Sequence, residues 1–252
     1  MRRLLPYGLR VRLRALVDAR RLEPRDVEQV KATTAAQWRN IGARAPHHLE
    51  TYWAGADDPA SYAVAKRRSE WLAGLAPFRD ARSVIELGCN VGRNLFVLTA
   101  RHPGLVATGV DIDPEAIAFA RKRVGAELLV GDLYDVNAVL GDRGADVIFT
   151  MGVLIHLHPD AIPPVLAAMA RRVRSAVVLV EQVSDGDTVV KGPASWHPER
   201  RVTGDYIQWS PNLPRMLEAL GLPFTIADVP GDLQTNGARH LLVVRPGAGG
   251  RR

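Results

Sequence analysis

The sequence predicts an α/β fold, with a doubly wound, mostly parallel sheet that follows an N-terminal helical extension. Three observations lead to this prediction. The chain has 252 residues, 47% of them apolar and 24% charged, which suffices for one full core. From Arg82 onward, short β-branched runs alternate with helical segments, as in strand–helix–strand units around a parallel sheet. From Glu23 to Pro77 the pattern is helical, with aromatic residues along it and prolines at the expected breaks.

Composition excludes several classes of protein. The balance of apolar and charged residues excludes a disordered or low-complexity chain. The single cysteine, Cys89, cannot form an internal disulfide, so a disulfide-stapled secreted scaffold is excluded and a reducing, cytoplasmic location is expected. No apolar run approaches the roughly 18 residues that a transmembrane helix needs.

The net charge of +6 is concentrated at the N-terminus. Residues 1–21 contain seven arginines against Asp18, and the rest of the chain is neutral by the same count. The apolar residues of this arm recur at helical spacing: Leu5, Leu9, Leu13, Leu16 and Val17. The pattern predicts a basic amphipathic arm, residues 1–22, that docks on its own domain or forms a homodimer. Weak contact with an anionic membrane surface or a nucleic acid is the alternative.

The elements follow in a regular order. Strands are predicted at residues 83–87, 106–110, 127–130, 147–150, 176–181, 224–227 and 240–244. Helices are predicted at residues 92–101, 114–124, 134–140, 160–173 and 213–220. The predicted organisation is the arm at 1–22, a helical cap on the substrate side at 23–80, the sheet domain at 81–246 with a substrate loop at 183–211, and a flexible tail at 247–252.

The turn after the first strand is typical of sheets that bind nucleotide-like ligands. In Val84–Asn94, an apolar strand ends near Glu86, and Gly88 and Gly92 allow a tight turn before a helix begins. The spacing E-x-G-x-x-x-G differs from the dinucleotide fingerprint, and Asn90 stands where a second glycine belongs. A pyrophosphate cradle is therefore disfavoured. Taken alone, the motif is also compatible with a turn that binds no ligand.

Later strand ends add polar groups at the same edge of the predicted sheet. Asp111 follows the second strand, about 20 residues past the turn, where a carboxylate can accept both hydroxyls of a ribose. Asp113, before Pro114, is instead typical of a helix N-cap. Asp132 follows the third strand and could accept the amino hydrogens of an adenine, and the fourth strand runs into residues 149–156. Four strand ends with suitable groups predict one ligand site.

These motifs resemble those of the class I S-adenosylmethionine-dependent methyltransferases, over roughly residues 82–244. The matching segments are ELGCNVG, GVDIDP, GDL and TMGVLIHL. The resemblance implies a Rossmann-like sheet of seven strands with the last one antiparallel, and S-adenosyl-L-methionine as the cofactor. It implies cofactor contacts at Glu86, Gly88, Cys89, Asn90, Gly92, Asn94, Asp111, Ile112, Asp132, Leu133 and Met151. More narrowly, GCNVGRNL with GVLIHLHPD is similar to the methylases associated with pseudaminic acid biosynthesis, in which the same Asn replacement recurs.

Two titratable residues are candidates for chemistry beyond the cofactor. Methyl transfer needs positioning and desolvation, and it needs a base only where the attacking atom carries a proton that must leave. His156, just past the fourth strand, is the candidate general base, although a structural histidine bonded to backbone is equally compatible. Glu181, which ends the fifth strand, is expected either to bind a substrate amine or hydroxyl or to anchor the following loop. No metal site is expected.

The predicted substrate loop has aromatic residues without clear periodicity. A stretch of this length in a compact domain is usually functional or disordered, and the aromatic content disfavours disorder. We expect the loop to close over the helical cap as a lid. The expected substrate contacts, besides Glu181, are Trp53, Trp196, His197 and Tyr206.

The sequence thus predicts an enzyme that methylates an oxygen or nitrogen of a small molecule, such as a sugar, a nucleotide-sugar or a secondary metabolite. A DNA methyltransferase is disfavoured for two reasons. The fourth strand ends in TMGV and not in the (N/D)-P-P-(Y/F) segment of enzymes that methylate the amino groups of adenine or cytosine, and Cys89 lies in the cofactor turn, where it cannot serve as a cytosine nucleophile. Three alternatives remain open: an RNA methyltransferase recruited by the arm, a nicotinamide-dependent oxidoreductase, and a non-catalytic interaction protein on the same scaffold.

Overall fold

The computed structural model describes six parts of the chain: residues 27–39, 46–56, 58–184, 189–191, 208–235 and 237–245. Several predictions lie outside these residues. They concern the basic arm at 1–22, the tail at 247–252, and three of the expected substrate contacts, Trp196, His197 and Tyr206. Among the described helices, none has the length and apolar character that crossing a membrane requires.

In the described part of the chain, four helices precede the sheet. They are α1 (Val27–Arg39), α2 (Pro46–Ala54), α3 (Pro59–Ala73) and α4 (Ala76–Arg79). The start of α3 has a clear local cause, because the Asp58 side chain accepts a hydrogen bond of 3.1 Å from the Ser61 amide. Pro59 occupies the first helical position, where its missing N–H leaves no intrahelical bond unmade. These helices confirm the predicted N-terminal helical extension.

Nine strands are described, and seven of them form one sheet. The strands are β1 (Ser83–Leu87), β2 (Val106–Asp111), β3 (Glu127–Val130), β4 (Ala145–Met151), β5 (Val173–Glu181), β6 (Val189–Lys191), β7 (Gln208–Ser210), β8 (Phe224–Asp228) and β9 (His240–Val244). The sheet order is β3-β2-β1-β4-β5-β9-β8. The first five strands are parallel, and β9, the last in the chain, is antiparallel to both neighbours. The predicted fold class is confirmed.

Helices on both faces bury the sheet. The connecting helices are α5 (Arg93–Arg101), α6 (Pro114–Arg121), α7 (Val136–Leu140), α8 (Ile162–Arg172) and α9 (Leu213–Ala219). Because successive side chains of a strand point to opposite faces, Ile85 packs with α7, α8 and α9, whereas Val84 packs with α3, α5 and α6. The sheet is therefore a rigid central layer whose C-terminal edge holds the strand-end residues in fixed positions.

The long segment after β5 contains regular structure that sequence patterns did not indicate. Residues 189–191 pair antiparallel with residues 208–210, so β6 and β7 form a separate two-stranded ribbon. Runs of three residues are too short for periodicity to reveal them. The Trp209 ring packs against that of His158, with centroids 5.3 Å apart, and β7 contacts the turn at Leu154–His156. The ribbon is thereby attached to the same edge of the sheet.

Candidate functional site

A cavity of about 680 Å³ lies at the C-terminal edge of the sheet, between the strand ends and the helices α1, α2 and α3. It contacts most of the residues for which cofactor contacts were expected. Those that line it are Gly88, Asn90, Asn94, Asp111, Ile112, Asp132, Leu133 and Met151. The other three, Glu86, Cys89 and Gly92, lie behind this lining, and His156 also lines the cavity. The structure thus brings the four motifs and the candidate base around one space.

The turn after β1 keeps its shape although Asn90 replaces a glycine. Gly88, Asn90 and Gly92 have φ values of 77°, 47° and 75°. Asn90 is the only non-glycine residue with positive φ in the described part of the chain, and asparagine is among the residues that tolerate this conformation best. A Cβ atom on Gly88 would lie 2.4 Å from Cγ2 of Val153, so the loop after β4 approaches too closely for any other residue. The presence of asparagine instead of glycine at position 90 therefore leaves the turn intact.

Asp111 is fixed by backbone amides. The Asn90 amide donates to Oδ2 at 2.7 Å, and the Asp113 amide donates to Oδ1 at 3.0 Å. Burial raises the pKa of Asp111 to about 6, although these two hydrogen bonds favour the ionised form. Each carboxylate oxygen has more than one acceptor site, so Asp111 can still accept hydroxyl groups from the cavity.

A buried chain of polar side chains connects α3 to β1. Ser69 Oγ donates to Asn94 Oδ1 at 2.6 Å, and Asn94 Nδ2 donates to Glu86 Oε1 at 2.6 Å. Glu86 is 1% exposed, and burial raises its pKa to about 8. Its second oxygen, Oε2, has no hydrogen-bond partner among the described residues. Glu86 is therefore protonated at pH 7 in this state, and it supports Asn94 from behind the cavity lining.

Two buried arginines face the same part of the cavity. Arg68 Nε donates to the Leu233 carbonyl at 2.6 Å, and an Arg93 guanidinium nitrogen donates to the Tyr52 carbonyl at 2.7 Å. Burial, and then the charge of Arg93, lowers the pKa of Arg68 to about 10, and burial lowers that of Arg93. Among the described residues, neither guanidinium is ion-paired with a carboxylate. The pair provides positive charge for an anionic ligand group.

Sequence analysis did not identify these arginines as site residues. Arg93 follows the glycine turn directly, so its position next to the motif was a usable signal. Arg68 stands beside Arg67 on α3, and nothing in the sequence distinguishes the two. In the structure, Arg67 is exposed and contacts Asp232, whereas Arg68 is buried against the cavity. Only the packing of α3 separates their roles.

Asp132 caps the turn that follows β3. Its Oδ1 accepts a hydrogen bond of 3.0 Å from the Tyr134 amide, and its Oδ2 lies 3.8 Å from an Arg39 guanidinium nitrogen. Leu133 is buried in the core but still lines the cavity. This end of the cavity therefore combines a carboxylate with apolar walls, which suits a planar heterocycle with an amino group.

His156 and Trp38 form an aromatic wall of the cavity. His156 belongs to the 3₁₀ turn Leu154–His156, and its ring centroid lies 4.5 Å from that of Trp38. Burial lowers the pKa of His156 to about 3, so the imidazole is neutral at physiological pH. Gln208 of β7 and Tyr62 of α3 also line the cavity. Trp38 and Tyr62 were not among the expected substrate contacts, because their sequence pattern is that of ordinary helix packing.

Two expected substrate contacts do not line the cavity. Trp53 packs against Phe96 and Phe119, with ring centroids 5.2 and 6.3 Å away, and the preceding residue Tyr52 lines the cavity instead. Glu181 is fully buried, and its carboxylate accepts hydrogen bonds from backbone amides of the loop after β4. In this structure Trp53 packs between helices, and Glu181 anchors the loop after β4.

Comparison with known proteins agrees with these features. A family model described as a methyltransferase domain matches residues 84–176. The trans-aconitate 2-methyltransferase of Delftia acidovorans (strain DSM 14801 / SPH-1) is 28% identical over 102 residues, which are 39% of this chain. The match spans only 38% of the length of that curated relative.

Solved structures of methyltransferases share the fold. Magnesium protoporphyrin IX methyltransferase from Synechocystis PCC 6803, with S-adenosylmethionine bound, superposes with a TM-score of 0.58 at 14% identity, covering 84% of this chain and 97% of that one. An amino pentose methyltransferase from Micromonospora echinaspora, also with S-adenosylmethionine bound, has a TM-score of 0.53 at 20% identity, covering 74% and 95%. At these identities the likeness concerns the fold.

Proposed function

We propose that this chain is a class I methyltransferase that transfers a methyl group from S-adenosylmethionine to an oxygen or nitrogen of a small molecule, supported by the match of a methyltransferase-domain model to residues 84–176. The observation that carries the proposal is the continuity of one cavity. It extends from Asp111 and Asp132, at the strand ends, to the aromatic wall of Trp38 and His156. A cofactor and an acceptor can therefore meet in the same space.

The polar groups of the cavity fit this cofactor. The Asp111 carboxylate would accept the ribose hydroxyls, and Asp132 with Leu133 would border the adenine. Arg68 and Arg93 would bind the carboxylate of the methionine portion, since they are cations without an acidic ion-pair partner among the described residues. Asn90 Oδ1, which is buried without a partner there, would receive a hydrogen bond, and Glu86 would hold Asn94 in place from behind the lining. When bound, S-adenosylmethionine supplies an electrophilic methyl group on a positively charged sulfur.

The chain contributes orientation and exclusion of water. The walls at the acceptor end are mainly apolar and aromatic, and residues of α1 and β7 border that end of the cavity. Replacing water by such walls strengthens the electrostatic interactions within the site and restricts the acceptor to geometries close to in-line attack. A ring-shaped acceptor such as a sugar fits against Trp38, as sugars stack on indole through their C–H faces.

We assign His156 the role of proton acceptor. Its lowered pKa keeps the imidazole neutral, so one of its two ring nitrogens carries no proton and can act as a base toward a hydroxyl group of the acceptor. A hydroxyl oxygen that acquires a methyl group becomes strongly acidic during the transfer. A weak base in hydrogen-bond contact is then sufficient to remove the proton.

Isothermal titration calorimetry with S-adenosylmethionine tests the cofactor site. We expect Asp111→Ala to weaken binding by about 10- to 100-fold, because hydrogen bonds to a charged group contribute about 1.5–3 kcal/mol. Asp142→Ala, at an exposed position remote from the cavity, is the matched control and should bind like the wild type. Equal affinities for all three proteins would contradict the proposed site.

Acceptor screening tests the reaction itself. Release of S-adenosylhomocysteine is measured with a panel of sugars, nucleotide-sugars and phenolic or amino-containing metabolites. With any acceptor found, His156→Gln should lower kcat by about 100-fold, as expected for loss of a general base, while cofactor affinity stays within about threefold. A kcat unchanged in His156→Gln would leave His156 a structural residue.

A further inference from the structure

The carboxylate of Glu181 lies at the end of β5, next to the loop that follows β4. The side chain is 0% exposed. Its Oε1 and Oε2 accept hydrogen bonds from the Val153 amide at 3.0 and 3.1 Å, and Oε2 also accepts one from the Leu154 amide at 3.2 Å. A buried carboxylate is thus shared by two consecutive backbone amides, 27 and 28 residues away in the chain.

The loop depends on a partner from outside. The chain leaves β4 at Gly152, which has a φ of 66°, and enters the 3₁₀ turn Leu154–His156. The first amides of such a turn have no carbonyl partner within it, and no side chain at the start of the turn caps them. Because unpaired buried amides strongly destabilise a conformation, Glu181 determines where this segment can lie.

The same segment contacts both the cofactor turn and the aromatic wall of the cavity. Val153 packs against the cofactor turn so closely that Gly88 cannot carry a side chain. Three residues later, His156 faces the cavity beside Trp38. A displacement of the Val153 amide would therefore shift the cofactor turn and the His156 ring relative to each other.

We propose that Glu181 is a positioning residue whose carboxylate holds the Val153–His156 segment, and thereby sets the distance between the cofactor turn and His156. Glu181 acts through the backbone and does not touch the acceptor. The consequence for catalysis rests on the proposed function, because it requires His156 to act on the acceptor. The anchoring of the segment itself is independent of that function.

Amide hydrogen exchange by NMR, on the full ¹⁵N-labelled chain without acceptor, tests the anchoring directly. In the wild type we expect the amides of Val153 and Leu154 to be protected as strongly as that of Ile148 inside β4, since all three residues lie in hydrogen-bonded segments. Exchange at the rate of an exposed loop would overturn the proposal without any substitution. This measurement remains decisive even if variants fold poorly.

Substitutions at Glu181 then test the carboxylate. Glu181→Gln retains the size but replaces one of the two acceptor oxygens by an NH₂ group, so we expect exchange at Val153 and Leu154 to accelerate by at least about tenfold. The His156 ring signals should shift as well. Glu181→Asp retains the charge on a shorter side chain and should restore part of the protection. Unchanged exchange and unchanged His156 signals in Glu181→Gln would overturn the proposal.

Gln182 offers a matched control. It is the next residue, also buried, and its side-chain amide donates to the Val183 carbonyl and not to the loop. Gln182→Leu should lower stability without changing exchange at Val153 or Leu154. If Gln182→Leu accelerated their exchange as much as Glu181→Gln, the effect would reflect general loosening and the positioning role would be wrong.

A double-mutant cycle connects the anchoring to turnover, once the screen has supplied an acceptor. We expect Glu181→Gln to lower kcat by at least about tenfold in the wild type, and by less than about threefold when His156 is already glutamine. Equal effects in both backgrounds would contradict action through His156. If no acceptor is methylated by the wild type, the proposed function fails, while the exchange measurements still decide the anchoring.

Discussion

Replacement of the buried Glu86 by glutamine should stabilise the protein in a pH-dependent way. The Glu86 carboxyl is 1% exposed, its Oε1 is bonded to Asn94, and its Oε2 has no partner among the described residues. Burial raises its pKa from 4.5 to about 8, so ionisation of the folded protein is unfavourable. A rise of this size corresponds to about 5 kcal/mol, and relaxation with water entry reduces the measurable effect to about 2–5 kcal/mol.

The sign follows from proton binding. Between pH 4.5 and about 8 the folded state holds a proton on Glu86 that the unfolded state has lost, so the stability of the wild type falls as the pH rises through this range. Glutamine does not titrate and can still accept the Asn94 hydrogen bond. The stability gain of Glu86→Gln over the wild type should therefore be small at pH 4.5 and reach its full value above pH 8.

Urea denaturation of the ligand-free protein at several pH values, followed by circular dichroism, measures this difference. Glu127→Gln is the control, because Glu127 is exposed, its pKa is lowered by Arg143, and its ion pair contributes less than about 1 kcal/mol. That contribution is present above the unfolded pKa and is lost as the pH falls. A difference between Glu86→Gln and the wild type that is the same at pH 5 and pH 9 would refute the reasoning.

Three further outcomes follow from the geometry of the site. Gly88→Ala should lower the free energy of unfolding by at least about 2 kcal/mol, because its Cβ would clash with Val153 and its φ is 77°; thermal denaturation checks this, and an unchanged Tm would contradict it. Asn90→Gly should change the stability by less than about 1 kcal/mol, since the residue already has positive φ; a larger loss would show that the Asn90 side chain holds the turn. Arg68→Met should weaken binding of S-adenosylhomocysteine by about tenfold or more, but leave that of 5′-methylthioadenosine, which lacks the carboxylate, within about twofold. Calorimetry distinguishes the two, and equal losses for both ligands would mean that Arg68 acts through Leu233 and the loop that it holds.

Sequence patterns predicted most of the fold and the cofactor end of the site. Each strand of the main sheet was placed to within three residues of its observed bounds. The strand ends converged as expected, because the C-terminal ends of parallel strands share one edge of a sheet. The elements that were missed or misplaced are short or begin with an irregular turn. The β6–β7 ribbon has three residues per strand, and α8 begins at Ile162 because a 3₁₀ turn occupies Pro159–Ala161.

The acceptor end was predicted less well. Trp53 and Trp38 both lie on helices before the sheet, but only Trp38 lines the cavity. Helical periodicity identifies the faces of each helix, but it does not say which face meets the cavity. For Glu181 the sequence left substrate binding and loop anchoring open, and it did not indicate the partners Val153 and Leu154, which belong to another strand connection.

The sequence alone determined those features whose cause is local. Strand and helix periodicity, the E-x-G-x-x-x-G turn and the acids that follow β2 and β3 depend on neighbours a few residues away, so their spacing in the chain was sufficient to read them. Tertiary structure alone decided which side chains face the cavity and which support it. The bonds between Ser69 and Asn94, Arg68 and Leu233, and Glu181 and Val153 span 25, 165 and 28 residues. Such pairs meet only when separate elements pack, and packing depends on the shape and burial of whole surfaces rather than on spacing along the chain.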